Sequence, residues 1–116
     1  MCSPDYFKLS PPDPVHGHPN IMNEENYGFY AKNPQKFHSE SEKQWNNLLS
    51  LLKMRDISVE IITASEEFND QVFTADSSLS LVGKNKEISI ISKFSHWGRS
   101  GETKYQQSKI NQLYSN

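Results

Sequence analysis

The strongest pattern in the chain begins at Trp45, where Trp45, Leu48, Leu49 and Leu52 recur at i, i+3, i+4 and i+7. That spacing lines side chains along one stripe of an α-helix. Ser39 stands three residues before Glu42, the order of a capping box, in which each side chain satisfies an N–H that the first turn leaves open. The pattern predicts a helix over residues 40–54, closed by Arg55-Asp56. The period then drops to two. Ile57, Val59 and Ile61 alternate with Ser58 and Glu60, as in a half-buried strand. A short acidic loop, Ser65 to Asn69, follows. A second strand is expected to start at Val72-Phe73 and continue through Leu79 and Leu81. Gly83-Lys84-Asn85-Lys86 reads as a turn before Ile88, Ile90 and Ile91, which completes a hairpin. Beyond Phe94 a polar loop leads to a weaker helical pattern in Tyr105, Ile110, Leu113 and Tyr114.

The front of the chain lacks either period. From Ser10 to Pro34 the run Ser-Pro-Pro-Asp-Pro-Val-His-Gly-His-Pro fixes several φ angles and removes several N–H donors, which predicts an extended loop. The chain therefore divides into a strand end and proline-rich loop (1–38), a helix plus strands (39–94), and a loop with a C-terminal helix (95–116), all in one partial domain, 1–116. The expected class is α/β, or more finely α+β: a small sheet with a helix on one face.

Composition narrows this picture. Only 34% of the 116 residues are hydrophobic, so the core the chain can bury alone is small, and a companion polypeptide or self-association is expected. The abrupt start at Met1 to Phe7 and the uncapped stop at Asn116 lead to the expectation that the chain is a piece of a larger enzyme. Its net charge is −2, with Lys and Arg scattered, so it lacks the basic stripe that would neutralise phosphates, and nucleic acid is excluded as a partner. A single cysteine and no long apolar run predict no internal disulfide, no leader and no membrane span, with the cytoplasm as the expected address.

Few residues offer chemistry. Cys2 has no adjacent base or cation to activate its thiol, so it reads as an inert small residue at a strand end. His16 and His18 have a spacing two metal ligands can use, but Cys2 and His38 are the obvious further ligands and lie on distant flanks, so no metal and no cofactor is assigned. Trp45 shares the leucine stripe and reads as a core anchor. The segment Asp70-Gln71-Val72-Phe73-Thr74-Ala75-Asp76 differs from these. On a strand its two carboxylates share a parity, hence a face, and could hold a guanidinium by bidentate hydrogen bonds.

Cys2-Ser3-Pro4-Asp5-Tyr6-Phe7, Asn33-Pro34, the Gln44-Trp45 helix, the Asp70 to Asp76 segment, and Phe94 with His96, Arg99, Gly101 and Glu102 occur in that order. The series resembles the N-terminal part of the amidinotransferase and dimethylarginine dimethylaminohydrolase family, guanidino-modifying enzymes of pentein fold. The resemblance implies a propeller of five ββαβ modules, of which this chain is a partial one. It further implies a cysteine that attacks a guanidinium carbon, a histidine acting as general acid and base, and a guanidino substrate of the arginine or methylarginine type. By position, Asp70 and Asp76 match family carboxylates that contact substrate, and Lys93 falls where many relatives carry an arginine. The departures are Asn69 in place of a proline, Ala75 in place of a glutamate, and a longer loop between Phe7 and Asn33. The family's catalytic histidine and cysteine lie beyond the matched region, and His96 and Cys2 match non-catalytic positions. The expectation is a hydrolase- or transferase-type fragment with no catalytic residue of its own, the alternatives being a non-enzymatic binding module or a decayed remnant.

Overall fold

A computed structural model of the chain describes residues 1–12, 21–84, 87–94 and 99–114. The elements are α1 (Ile21–Lys32), α2 (Pro34–Lys53), a 3-10 turn (Thr74–Asp76), β1 (Ser78–Val82), β2 (Glu87–Ile91) and α3 (Glu102–Tyr114). The chain is a small mixed α/β structure whose sheet, among the described residues, is one antiparallel pair.

The first correction is α1, which occupies the second half of the expected loop. Prolines crowd only the stretch up to Pro19, and residues 20–33 contain none, so the ring constraint that forbids a helix stops there. Ser10, Pro11 and Pro12 belong to no regular element, as expected, and the rest of the proline run, residues 13–20 with His16 and His18, lies outside the described residues. Tyr27 meets Tyr30 at 6.1 Å, and Tyr30 meets Phe37 of α2 edge-on at 5.2 Å. Aromatic contact with α2, and no apolar stripe, is what holds α1 in place.

The second correction is the start of α2. It begins at Pro34 and not at Ser39, because proline in the first turn gives up an N–H that has no intrahelical partner anyway. The Phe37 N–H donates to the Asn33 carbonyl at 3.0 Å, so Ser39 and Glu42 fall inside the helix and form no capping box. The Asn33 side chain donates backwards, to the Phe29 carbonyl of α1 at 3.4 Å. The far end falls close to the expected position. Asp56 takes a left-handed φ of 55°, and the N–H groups of Asp56 and Ile57 donate to Lys53 and Leu52, each at 3.1 Å, which closes the helix in a Schellman-type end.

Two expected strands are also revised. Residues 57–61 run alongside Met1 and Cys2, which offer too few backbone groups for a ladder, so the pairing amounts to one parallel bridge, Cys2 to Ile62. It is tied by the Met1 amino group donating to the Glu60 carbonyl at 2.6 Å and the Ile62 N–H donating to Met1 at 2.7 Å. Residues 72–76 are not a strand either. Phe73, Asp76 and Ser77 donate to the carbonyls of Asp70, Phe73 and Thr74, successive three-residue turns that coil the backbone before β1 begins at Ser78. The hairpin itself agrees with expectation, with Leu79 opposite Ile90, Leu81 opposite Ile88, and Ser80 opposite Ser89. Asn85 and Lys86 of its turn lie outside the described residues.

Burial inverts the usual order. Among the described residues the buried apolar side chains are Cys2, Pro4 and Leu9, whereas Gln71, Ser77, Glu102 and Gln106 are buried and polar. No residue of α2 is buried, and Leu48 and Leu51 are half exposed or more. The radius of gyration is 16.0 Å, against roughly 13 Å for a compact chain of this length. Phe7 joins the helical arm to the rest, 5.6 Å from Phe37 and 5.5 Å from Phe73.

Candidate functional site

Among the described residues, charged side chains bonded to one another gather at the N-terminus of α3. Glu102, the first residue of that helix, is fully buried; a carboxylate there faces unpaired N–H groups and the positive end of the helix dipole. Arg99 grips it with a two-pronged fork, Nε to Oε1 at 2.9 Å and Nη2 to Oε2 at 2.8 Å, the geometry in which a guanidinium binds a carboxylate most strongly. The remaining nitrogen, Nη1, donates to Asp76 Oδ2 at 2.9 Å. A longer contact at 3.5 Å reaches the Phe73 carbonyl. The guanidinium carbon lies 4.0 Å from the centre of the Phe94 ring, within cation–π range. Burial disfavours the arginine's charge, but the hydrogen bonds to Glu102 and Asp76 and the charges of Glu102 and Asp70 outweigh it, leaving its pKa above the ordinary value.

The local fold explains how these groups converge. The 3-10 turn carries Asp76 toward Arg99, and the Asp70 carbonyl closes the turn before it. Gly101 is required where it stands, since a Cβ there would sit 2.7 Å from the Phe68 ring. That ring packs on Tyr105 at 5.8 Å, and the Tyr105 hydroxyl donates to the Thr63 carbonyl at 2.7 Å. Thr103 Oγ1 donates to the Ser92 carbonyl, just beyond β2, at 2.9 Å. The first turns of α3 are thereby clamped against the loop that precedes Asp70 and the chain just beyond β2.

Asp70 and Asp76 therefore approach one guanidinium, but through a coiled turn and not through shared strand parity. Asp76 is the outer carboxylate, its side chain 59% exposed, and Glu102 the inner one. Lys93 is exposed one residue before Phe94 and forms no ion pair among the described residues. The residues that complete the cradle, Phe94, Arg99 and Glu102, were legible only as parts of a motif. The local signal for their pairing is Arg99 and Glu102 three apart at the start of a helix.

Other candidates are placed elsewhere. Cys2 is buried, and burial, followed in effect by the charges of Asp5 and Glu102, pushes its thiol up to about 11 against the lowering effect of the terminal amino group. A thiol so held is neutral and a poor nucleophile at neutral pH. No cluster of three or more His, Cys, Asp or Glu residues able to hold a metal occurs among the described residues. His96 lies outside them. Gln71 Oε1 accepts the Ser65 N–H at 2.7 Å, but its Nε2, Ser77 Oγ and both amide atoms of Gln106 are buried without a hydrogen-bond partner. A shallow, open depression lies along Lys104, Gln107, Ser108, Asn111 and Gln112, on the opposite face of α3 from Glu102 and Gln106. No helix among the described residues is long and apolar enough to cross a membrane. Comparison of the chain with protein families, curated proteins and solved structures finds no match.

Proposed function

We propose that this chain contributes the guanidinium-holding part of an enzyme of the amidinotransferase and dimethylarginine dimethylaminohydrolase type, and that it does not catalyse alone. The observation that carries the reading is that Asp76, one of the two carboxylates matched to substrate contacts, is bonded to a guanidinium, that of Arg99. The chemistry needs such a group. The guanidinium carbon is electrophilic while the group stays protonated, and flanking carboxylates keep it so while a thiolate attacks. The thiolate would come from a companion polypeptide, because Cys2 is buried and held neutral. The ligand is an arginine or a methylarginine, which competes with Arg99 for Asp76 and Glu102.

The test is a titration of the isotopically labelled full chain with arginine and monomethylarginine, read by amide NMR, in the wild type and in Arg99→Ala. Weak binding is expected in the wild type, with shifts at Asp70, Asp76 and Glu102, and tighter binding in the variant, whose cradle is vacated. If Arg99→Ala is unfolded, millimolar guanidinium or ligand should refold it. Absence of these shifts in the wild type, together with neither binding nor refolding in the variant, eliminates the reading. A second reading, a non-enzymatic interaction module, is favoured by one specific feature, the exposed apolar face of the β1–β2 hairpin.

A further inference from the structure

The bonds that hold Arg99 record which hydrogens of a guanidinium the cradle uses. Nε and Nη2 each give one to Glu102, at 2.9 and 2.8 Å. Nη2 gives its other to the Phe73 carbonyl at 3.5 Å, and Nη1 gives one to Asp76 at 2.9 Å. The guanidinium carbon lies over the Phe94 ring, 4.0 Å from its centre, a contact that does not depend on which nitrogen bears a substituent. The three nitrogens are therefore unequal. The Nε place needs a single hydrogen and already carries a carbon chain, the Nη2 place needs both of its hydrogens, and the Nη1 place needs one. Failing these needs costs unequal amounts. Glu102 is fully buried, so water does not replace a bond lost there, whereas Asp76 is 59% exposed and loses less.

Resting on the guanidinium-holding reading above, we infer that the cradle selects its ligand by where the substituents sit, with Asp76 as the residue that sets the preference. A guanidinium with one alkyl group fits, since the alkylated nitrogen takes the Nε place and every bond is kept. One further methyl on the nitrogen facing Asp76 still leaves a hydrogen there, so arginine and its monomethyl form both fit. A nitrogen with two substituents has no hydrogen to give and turns to Asp76, where the loss costs least. Asymmetric dimethylarginine is therefore bound poorly. Symmetric dimethylarginine is excluded for a different reason. One of its methyls falls in the Nη2 place, where the Phe73 carbonyl, 3.5 Å from the nitrogen, admits a hydrogen and no carbon. The cradle suits the unmodified and singly methylated ligands and turns away both doubly methylated ones.

The test uses the full chain carrying Arg99→Ala, which lacks the cradle's own guanidinium, titrated with methylguanidinium and with N,N-dimethylguanidinium at millimolar concentration and constant ionic strength. Both ions carry the same charge and differ by one methyl. Affinity is read from the rise in melting temperature and from amide NMR of the labelled chain; if the variant is unfolded without ligand, the concentration that refolds it ranks the two ions equally well. Methylguanidinium is expected to bind roughly five- to tenfold more tightly, the value of the hydrogen bond that only it can give to Asp76. Burial of the extra methyl alone would favour the dimethyl ion. In the double variant Arg99→Ala, Asp76→Ala the preference should vanish, because no carboxylate there calls for that hydrogen. Equal affinities in Arg99→Ala, tighter binding of the dimethyl ion, or a preference that persists without Asp76 each overturn this inference and leave the guanidinium-holding reading in place. Failure of both ions to bind or refold Arg99→Ala overturns it too, and the arginine titration of the wild type then decides that reading.

Discussion

The helical arm and the Arg99 cradle obey different rules. In α2 the apolar stripe is plain in the sequence, but no residue of the helix is fully buried: Trp45, Leu49 and Leu52 are partly covered and Leu48 lies half exposed. Around Arg99 the sequence has little periodicity, but there Glu102 is fully buried and forked by two hydrogen bonds. Periodicity reports which face of a helix would gain from cover, and supplies no cover. Directional bonds between charged groups fix side chains without any such pattern, at the cost of desolvating them. The arm is a helix in search of a surface, and the cradle is a surface already assembled.

If that contrast is right, its largest consequence follows from removing Arg99. Arg99→Ala leaves the Glu102 carboxylate buried without its counter-charge, and breaking a buried pair in this way costs roughly 3–5 kcal/mol. Urea denaturation should record that loss. Arg99→Lys should recover little of it, because an ammonium cannot make the two-pronged contact or stack on Phe94. Replacing both members with apolar residues, as in Arg99→Met with Glu102→Leu, should cost much less than Arg99→Ala alone. A loss below about 1 kcal/mol for Arg99→Ala, the range of an exposed ion pair, would place the cradle on the same footing as the surface.

Cys2 provides a second test on the buried side. Its thiol titrates at about 11 in the fold against an ordinary value of 9.0. The folded chain resists ionisation that the unfolded chain accepts, so the contribution is complete below pH 9.0 and disappears as pH rises through about 11. A shift of that size is worth about 2–3 kcal/mol. Tyr105, raised chiefly by burial and then by Cys2, adds to the loss at higher pH. Cys2→Ala should therefore flatten the alkaline fall of stability relative to the wild type. Parallel curves for the two proteins would mean that the thiol is not held in a dry interior.

The sequence foretold the parts of this structure that depend on near neighbours. The hairpin follows from alternation on either side of Gly83-Lys84, and the end of α2 from the break at Arg55-Asp56. The start of α2 was misread because Ser39 and Glu42 satisfy the local rule for a cap, while Pro34, which satisfies another, already begins the helix in the company of Asn33. The α1 helix was hidden because its support is aromatic contact with Phe37, a relation of rings across a helix boundary and not of periodic positions. Asp70 and Asp76 were singled out for a strand parity they do not have. The coil at Thr74–Asp76 arises from turn bonds, and the partner of Asp76 is 23 residues away, a separation that no local pattern encodes.

The smallest expected effect separates the two regions directly. Phe37 touches Phe7 and Tyr30, so Phe37→Ala removes the ring that joins α1 to α2 and both to the N-terminal segment. Aromatic pairs of this kind contribute about 0.5–1.5 kcal/mol each beyond their burial, and a half-covered ring has less burial to lose, so a cost of about 1–3 kcal/mol is expected. That cost should be local. Amide hydrogen exchange should quicken across α1 while the amides of α3 from Gln106 onward keep their protection, since that helix is held by Phe68, Thr63 and Ser92 and not by Phe37. Equal acceleration in both helices would show that Phe7, which also meets Phe73, couples the arm to the cradle as one cooperative unit. The distinction would then be one of chemistry alone and not of stability.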